Sequence, residues 1–205
     1  MQAEQPETGS AAGRWLVLGG ICLAALILPL GFTGGAVATP AIAREFGGSP
    51  VALNWIVNAY MLAFGSTLMA AGALSDQFGR KRIFSVGVGI FVLASVLLAL
   101  VSNLFCLNLL RAMQGLAGAL TLAGGSAALA QEFEGRARTQ AFAMLGTTFG
   151  IGLAFGPVLC GLLVQLSGWR STFLACASRA THRRAGWIGP AASVLPERWG
   201  CLPTV

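Results

Sequence analysis

Four times along this chain the charged residues stop for long enough to cross a lipid bilayer. None lies between Trp15 and Ala43, between Phe46 and Ser75, between Ile83 and Leu110, or between Thr139 and Trp169. A further segment, about Leu104 to Gln131, is interrupted only by Arg111. A helix needs about 20 apolar residues to span the hydrocarbon core, and each segment supplies them. Only 10% of the 205 residues are charged, against roughly 25% in a soluble domain. A chain of this size has too much surface to hide that deficit in a core. The pattern predicts an all-α integral membrane helix bundle. Its full spans fall at about 15–40, 51–75, 83–101, 104–130 and 139–166, with a partial sixth over 171–178.

The charges between the runs set an expected orientation. Residues 1–14 read as a cytoplasmic arm. The inner segments then carry Arg14, Arg80, Lys81, Arg82, Arg136 and Arg138, and the outer ones Arg44 and Arg170, as the positive-inside rule requires. This places the chain in an inner or plasma membrane with its N-terminus cytoplasmic. A cleaved signal peptide is the alternative for the first run, since Ala41-Ile42-Ala43 resembles a cleavage site. The run is far longer than a signal core of about 7–15 residues, however, and Glu4 and Glu7 outnumber Arg14 before it. The net charge of +6 does not indicate nucleic-acid binding, because the basic residues form short clusters between apolar runs rather than one basic face.

Arg44 and Glu45 are expected to open a loop through Pro50. Trp55 and Tyr60 are expected near the membrane interface. Ser102-Asn103 reads as a tight outer turn, and Glu132, Glu134, Arg136 and Arg138 as a second charged loop. The five cysteines are scattered without metal-ligand spacing, and the single histidine, His182, has no ligand company. No phosphate-binding glycine loop or nucleophile elbow is present. Neither enzymatic activity, a metal nor a cofactor is expected.

Two features inside the spans carry chemistry. At a span centre Arg111 would cost about 2.5–3.5 kcal/mol. Either it snorkels outward, or it belongs to a polar stripe. Asn108, Arg111, Gln114 or Gly115, and Gly118 recur at three- and four-residue steps and would face protein or a water-filled cavity. Gly146, Gly150, Gly152, Gly156 and Gly161 make the fifth span glycine-rich, for close helix packing or for a bend with Pro157. Between the second and third spans, Asp76 at a helix C-terminus opposes the dipole and needs a partner; Arg80 lies four residues on.

Gly72-x-Leu74-x-Asp76-x-x-Gly79-Arg80-Lys81-Arg82 closely resembles the signature loop of the major facilitator superfamily. Three further stretches agree in order: Arg111-x-x-Gln114-Gly115 in the fourth span, Gly152-x-x-x-Gly156-Pro157-x-x-Cys160-Gly161 in the fifth, and Gly168-Trp169-Arg170-x-x-Phe173 after it. The second resembles the antiporter motif with Cys160 in place of a glycine. Asn54-Trp55-Ile56-Val57-Asn58-Ala59-Tyr60 is similar to the fourteen-span drug:proton antiporter branch. The resemblance covers about residues 15–177. It implies the N-terminal half of a multidrug efflux protein that exchanges small amphipathic substrates, with protons as the implied coupling ion. It also implies coupling roles for Arg111 and Gln114, and a cytoplasmic gate built on Gly72, Asp76, Gly79, Arg80, Lys81 and Arg82. Gly152, Gly156, Pro157 and Gly161 would form the antiport element. Thr33, Asn58 and Asn108 are the candidates for lining a substrate cavity. One departure stands out. The branch carries D-x-T-x-x-N-x-x-x-P in its first helix. Here Thr33 and Pro40 match, but Gly31 replaces the aspartate and Ala36 the asparagine. No Asp or Glu falls inside any predicted span.

From about residue 179 to 205 the composition shifts to Arg, Trp, Pro and Gly. The shift reads as out-of-frame translation of a longer gene; a genuine tail is the alternative. The chain is accordingly expected to be a truncated half-transporter. The alternative is a non-transporting membrane protein, or an inactive gene fragment, that pairs with another transporter half.

Overall fold

The computed structural model describes residues 11–178. Residues 1–10 and the anomalous stretch 179–205 lie outside the described residues. Five long helices follow in order: α1 (Ala11–Phe46), α2 (Pro50–Phe78), α3 (Arg80–Leu100), α4 (Leu104–Glu132) and α5 (Gly135–Ser167). Residues 169–178 are helical again and form α6. The shortest of the five, α3, has 21 residues, about 30 Å at 1.5 Å per residue, so all five reach across a bilayer core. The fold is an all-α membrane bundle of five spans and the start of a sixth. Large apolar side chains such as Met69, Leu100, Phe105 and Leu166 stand on its outside, which suits hydrocarbon rather than water.

Short caps set the helix starts. Ser49 Oγ accepts from Ala52 N at 3.3 Å, with Pro50 at the first helical position. Asn103 Oδ1 accepts from Phe105 N at 2.9 Å. Between α2 and α3 a single residue turns the chain: Gly79 has φ 91°, a conformation that a side chain resists.

Two loops are shorter than expected. α1 does not end at Pro40 but runs to Phe46, so Arg44 and Glu45 lie in its last turn. Pro40 removes only one helical donor, and Gly47 N still reaches Ala43 O at 3.0 Å to close the helix. The second charged loop shrinks to Phe133 and Glu134, and Arg136 and Arg138 sit in the first turn of α5.

Glu45 is held in place from far along the chain. Its Oε2 accepts from Trp169 Nε1 at 2.7 Å, and Arg170 Nη1 lies 2.7 Å from its Oε1. Arg170 also stacks 4.4 Å from the Trp169 ring centroid and donates to Val101 O at 3.4 Å. Ends of α1, α3 and α6 are thereby tied together. Glu45→Gln keeps an acceptor for the indole but loses the half-exposed ion pair, which water screens, and should lower the melting temperature only slightly. Glu45→Ala loses both contacts and should lower it further. Thermal unfolding of the detergent-solubilised chain separates the two.

In the interior, α4 packs along both α2 and α3, and α1 packs along α5. The α1–α5 seam is tight: a Cβ at Gly152 would stand 3.0 Å from Pro29 Cγ, and one at Gly156 would strike Thr33. Gly161 is looser, with Val37 3.9 Å away from such a Cβ. Gly146 and Gly150 do not belong to this seam, because a Cβ there would meet nothing within 4 Å. The expectation that all five glycines mark one helix contact is corrected to Gly152 and Gly156, with Gly161 at its edge.

Candidate functional site

Arg111 is fully buried, with 0% of its surface exposed; the side chain does not snorkel. It projects from α4 between α1 and α2. Nε donates to Ile56 O of α2 at 2.8 Å, and Nη1 donates to Gly31 O of α1 at 2.9 Å and to Gln114 Oε1 at 2.6 Å. The guanidinium lies 4.5 Å from the centroid of the Tyr60 ring, where the ring's negative face attracts a cation. Gln114, also fully buried, donates from Nε2 to Ser95 Oγ of α3 at 2.7 Å, and Ser95 Oγ donates to Phe91 O at 2.7 Å. One arginine therefore joins α1, α2, α3 and α4 through hydrogen bonds that a dry interior makes strong.

The polar stripe on α4 explains this placement. Asn108, one turn before Arg111, donates Nδ2 to Ala52 O of α2 at 3.1 Å. Gly115 presses directly on the backbone of Tyr60, and a Cβ at Gly118 would meet the Tyr60 hydroxyl at 3.3 Å. The small residues admit α2 closely enough for the long polar side chains to reach its carbonyls.

Two members of the network were not singled out by sequence reasoning as site residues. Tyr60 is buried rather than interfacial, and its hydroxyl donates to Leu28 O at 3.2 Å. Its signal was available: it is the only tyrosine in the chain. Ser95 sits in an otherwise apolar run, and nothing in the spacing points to Gln114. The expected cavity residues separate. Asn108 lies beside Arg111. Thr33 turns instead to the α1–α5 seam, where its Oγ1 donates to Pro29 O at 2.9 Å and lies 4.0 Å from Cys160 Sγ. Asn58 is exposed on α2 and does not join the network. At the position where the resemblance places an aspartate, Arg111 meets only the main-chain carbonyl of Gly31. Its Nη2 has no hydrogen-bond partner, and neither has Asn108 Oδ1.

A second cluster lies at the α2–α3 turn. Arg80 Nη2 pairs with Asp76 Oδ1 at 3.1 Å, and Arg80 Nη1 donates to Ala127 O of α4 at 2.9 Å. The Gly79 turn lets one arginine bridge the end of its preceding helix and the flank of α4. Arg82 is exposed, Lys81 half-buried, and Gly72 faces open space. Asp76 is 65% exposed, so water screens the pair. Asp76→Asn should shift stability by under about 1 kcal/mol, read as a small change in melting temperature.

The family model for the Major Facilitator Superfamily matches residues 21–178. The chain is 38% identical over 176 residues to the probable actinorhodin transporter of Streptomyces coelicolor, covering 81% of this chain and 30% of that protein. It is 32% identical to the tetracenomycin C resistance and export protein of Streptomyces glaucescens, over 83% of this chain and 32% of that one. To the puromycin resistance protein of Streptomyces alboniger it is 37% identical, over 77% and 31% respectively. The chain spans about a third of the length of these curated relatives. The match takes in the Arg111 network, the Asp76–Arg80 turn and the glycine seam of α5, and the chain belongs to the Major Facilitator Superfamily.

Proposed function

We propose that the chain serves as the first half of an exporter that moves small amphipathic molecules out of the cell by ion-coupled antiport. The observation that carries this reading is the buried Arg111–Gln114 network. A charge kept inside a membrane bundle is costly, and such residues mark substrate or ion pathways. The names of the three relatives, concerned with actinorhodin, tetracenomycin C and puromycin, support an antibiotic-type cargo. Superfamily transporters bind cargo near the midplane between two halves built of inverted three-helix repeats. In that scheme Asp76, Arg80 and their neighbours close the cytoplasmic side, and Gly152, Gly156 and Pro157 shape the antiport helix. The protein lies in an inner or plasma membrane, with its N-terminus cytoplasmic.

Among the described residues the acids stand only at helix ends: Glu45, Asp76, Glu132 and Glu134. In this reading the proton-carrying carboxylate belongs to a second half, which α2 and α5 would receive on their exposed faces. The test is antibiotic resistance in a drug-sensitive bacterial host. One strain expresses the 205-residue chain alone. Another expresses it with the C-terminal half of the puromycin resistance protein. Resistance in the paired strain only is the expected result. Resistance from the solitary chain would remove the need for a second half. Co-purification of the two halves without resistance would favour the alternative, a membrane interaction protein.

A further inference from the structure

α2 and α5 are packed on one side only. Among the described residues 17% of the spanning stretch of each is buried, against 44% or more of α1, α3 and α4. α1 packs against both, so their bare faces flank it. Hydrocarbon alone does not suit these faces. On α2, Asn58, Met69 and Asp76 fall on one line at 3.6 residues per turn, and all three are exposed. Asn58 stands about 12 Å along the helix from Pro50, where lipid offers an amide no partner. Met69 is 89% exposed and projects as a knob. α5 has two exposed sides. Ile151 and Val158 mark an apolar one fit for lipid. More than a quarter-turn round the helix lie Gly146 and Gly150, where an added Cβ meets nothing within 4 Å. Four residues apart, they form a notch that another helix can approach closely.

Knob and notch sit at one depth. Pro50 and Ser167 are at the same end of the bundle, the end closed by Glu45 and Trp169. From that end, Met69 and the midpoint of the two glycines are each about 28 Å along their helices. The charges agree. Near the opposite end α2 carries Asp76, 65% exposed with one oxygen on Arg80. There α5 carries the exposed Arg136, within about 40° of Gly150 round the helix.

We propose that two copies of this chain pair in the membrane through these faces. α2 of each copy lies against α5 of the other, with Met69 seated in the other copy's Gly146–Gly150 notch and Asp76 beside the other copy's Arg136. A two-fold axis along the membrane normal keeps both copies in one orientation. Each then supplies a knob and a notch, an isologous contact. Two helix faces, each about 40 Å long and 10 Å wide, offer about 800 Å² per copy, the size of a stable interface. No like charges meet at depth, because residues 51–75 and 139–167 are uncharged. The pairing does not depend on the export reading. A second copy and a second half compete for the same faces.

The test places two differently tagged copies of the 205-residue chain in vesicles of phosphatidylethanolamine and phosphatidylglycerol. One copy carries Met69→Cys and the other Gly150→Cys. The second, unaltered contact of the two-fold pair still holds them together. Oxidation by copper phenanthroline should link this mixed pair at least tenfold faster than two Met69→Cys copies, two Gly150→Cys copies, or the parent chain with its own cysteines. Gly146→Leu, which fills the notch, should slow the mixed link at least tenfold. Arg136→Glu at the end of α5 should also slow it, and it keeps the test open should Gly146→Leu fail to fold. Val158→Leu on the lipid side should leave the rate within about twofold. Equal linking of like and mixed pairs overturns the proposal, because random collision in the bilayer gives that result. No link above the parent chain overturns it too, and leaves lipid or residues 179–205 as the cover of these faces. An unchanged rate in both folded Gly146→Leu and Arg136→Glu overturns the stated contact.

Discussion

Replacing Arg111 with methionine should abolish export while leaving the melting temperature of the bundle nearly unchanged. The two effects separate because they have different physical origins. The stem of arginine and the methionine side chain fill similar space, and exchanging a buried charge for a packed apolar group is often neutral or stabilising. Two of the three acceptors, Gly31 O and Ile56 O, are helix carbonyls that retain their own helical donors. Only Gln114 Oε1 loses a partner outright, at a cost of about 1–3 kcal/mol. The saved desolvation of the guanidinium offsets this. Net stability should therefore stay within about 2 kcal/mol of the parent chain. Resistance in the host that co-expresses the second half should fall to the level of an empty vector. If unfolding shifted by as much as a core truncation while residual resistance persisted, Arg111 would be a structural brace and not part of the cargo path.

The largest loss of stability should come from a residue with no chemistry at all. Gly115→Val places a branched side chain against the carbonyl oxygen of Tyr60, with Phe64 N 3.1 Å from the first added carbon. Those atoms are backbone, so no rotamer change relieves the clash; α2 and α4 have to separate. Separation also breaks the Arg111–Ile56 and Asn108–Ala52 bonds, of 2.8 and 3.1 Å. Overpacking alone costs about 1–3 kcal/mol, and the lost polar contacts add to it. The variant should be recovered in low yield and unfold well below the parent. Gly146→Ala is the control. Its added carbon meets nothing within 4 Å, and alanine is favoured over glycine in a helix by about 1 kcal/mol, so that variant should melt at or above the parent temperature.

How much of this was visible in the sequence depended on the range of the interaction. The five spans were legible because hydrocarbon imposes a local rule: about twenty residues without charge. The polar face of α4 was legible for the same reason, since Asn108, Arg111 and Gln114 repeat at helical spacing. Their partners were not. Arg111 bonds main-chain carbonyls of Gly31 and Ile56, and a carbonyl has no signature in the sequence. Tyr60 carries the aromatic label of an interface residue, but close packing around Gly115 and Gly118 draws it inward. The end of α1 was misjudged because Arg44 and Glu45 look like loop residues on their own. Glu45 is fixed by Trp169 and Arg170, more than 120 positions away. Gly146 and Gly152 are alike as letters; only the position of α1 separates them.

The pairing of helices bears on how such a chain is made. α2 finds its main partner in α4, and α1 finds its main partner in α5. Among neighbours in sequence only α3 and α4 pack along each other; α1 with α2, α2 with α3, and α4 with α5 share only small contacts. Each group of three thus lends its middle helix to the leading helix of the other. A ribosome releases these segments from the N-terminus onward, so α1 enters the bilayer and waits through three further spans before its seam with α5 can close. In that interval the face of α1 that carries Pro29 and Thr33 is open to lipid or to the insertion machinery. Membrane insertion and assembly are consequently separate events for this fold, and the fifth span is the one that completes the packing of the first.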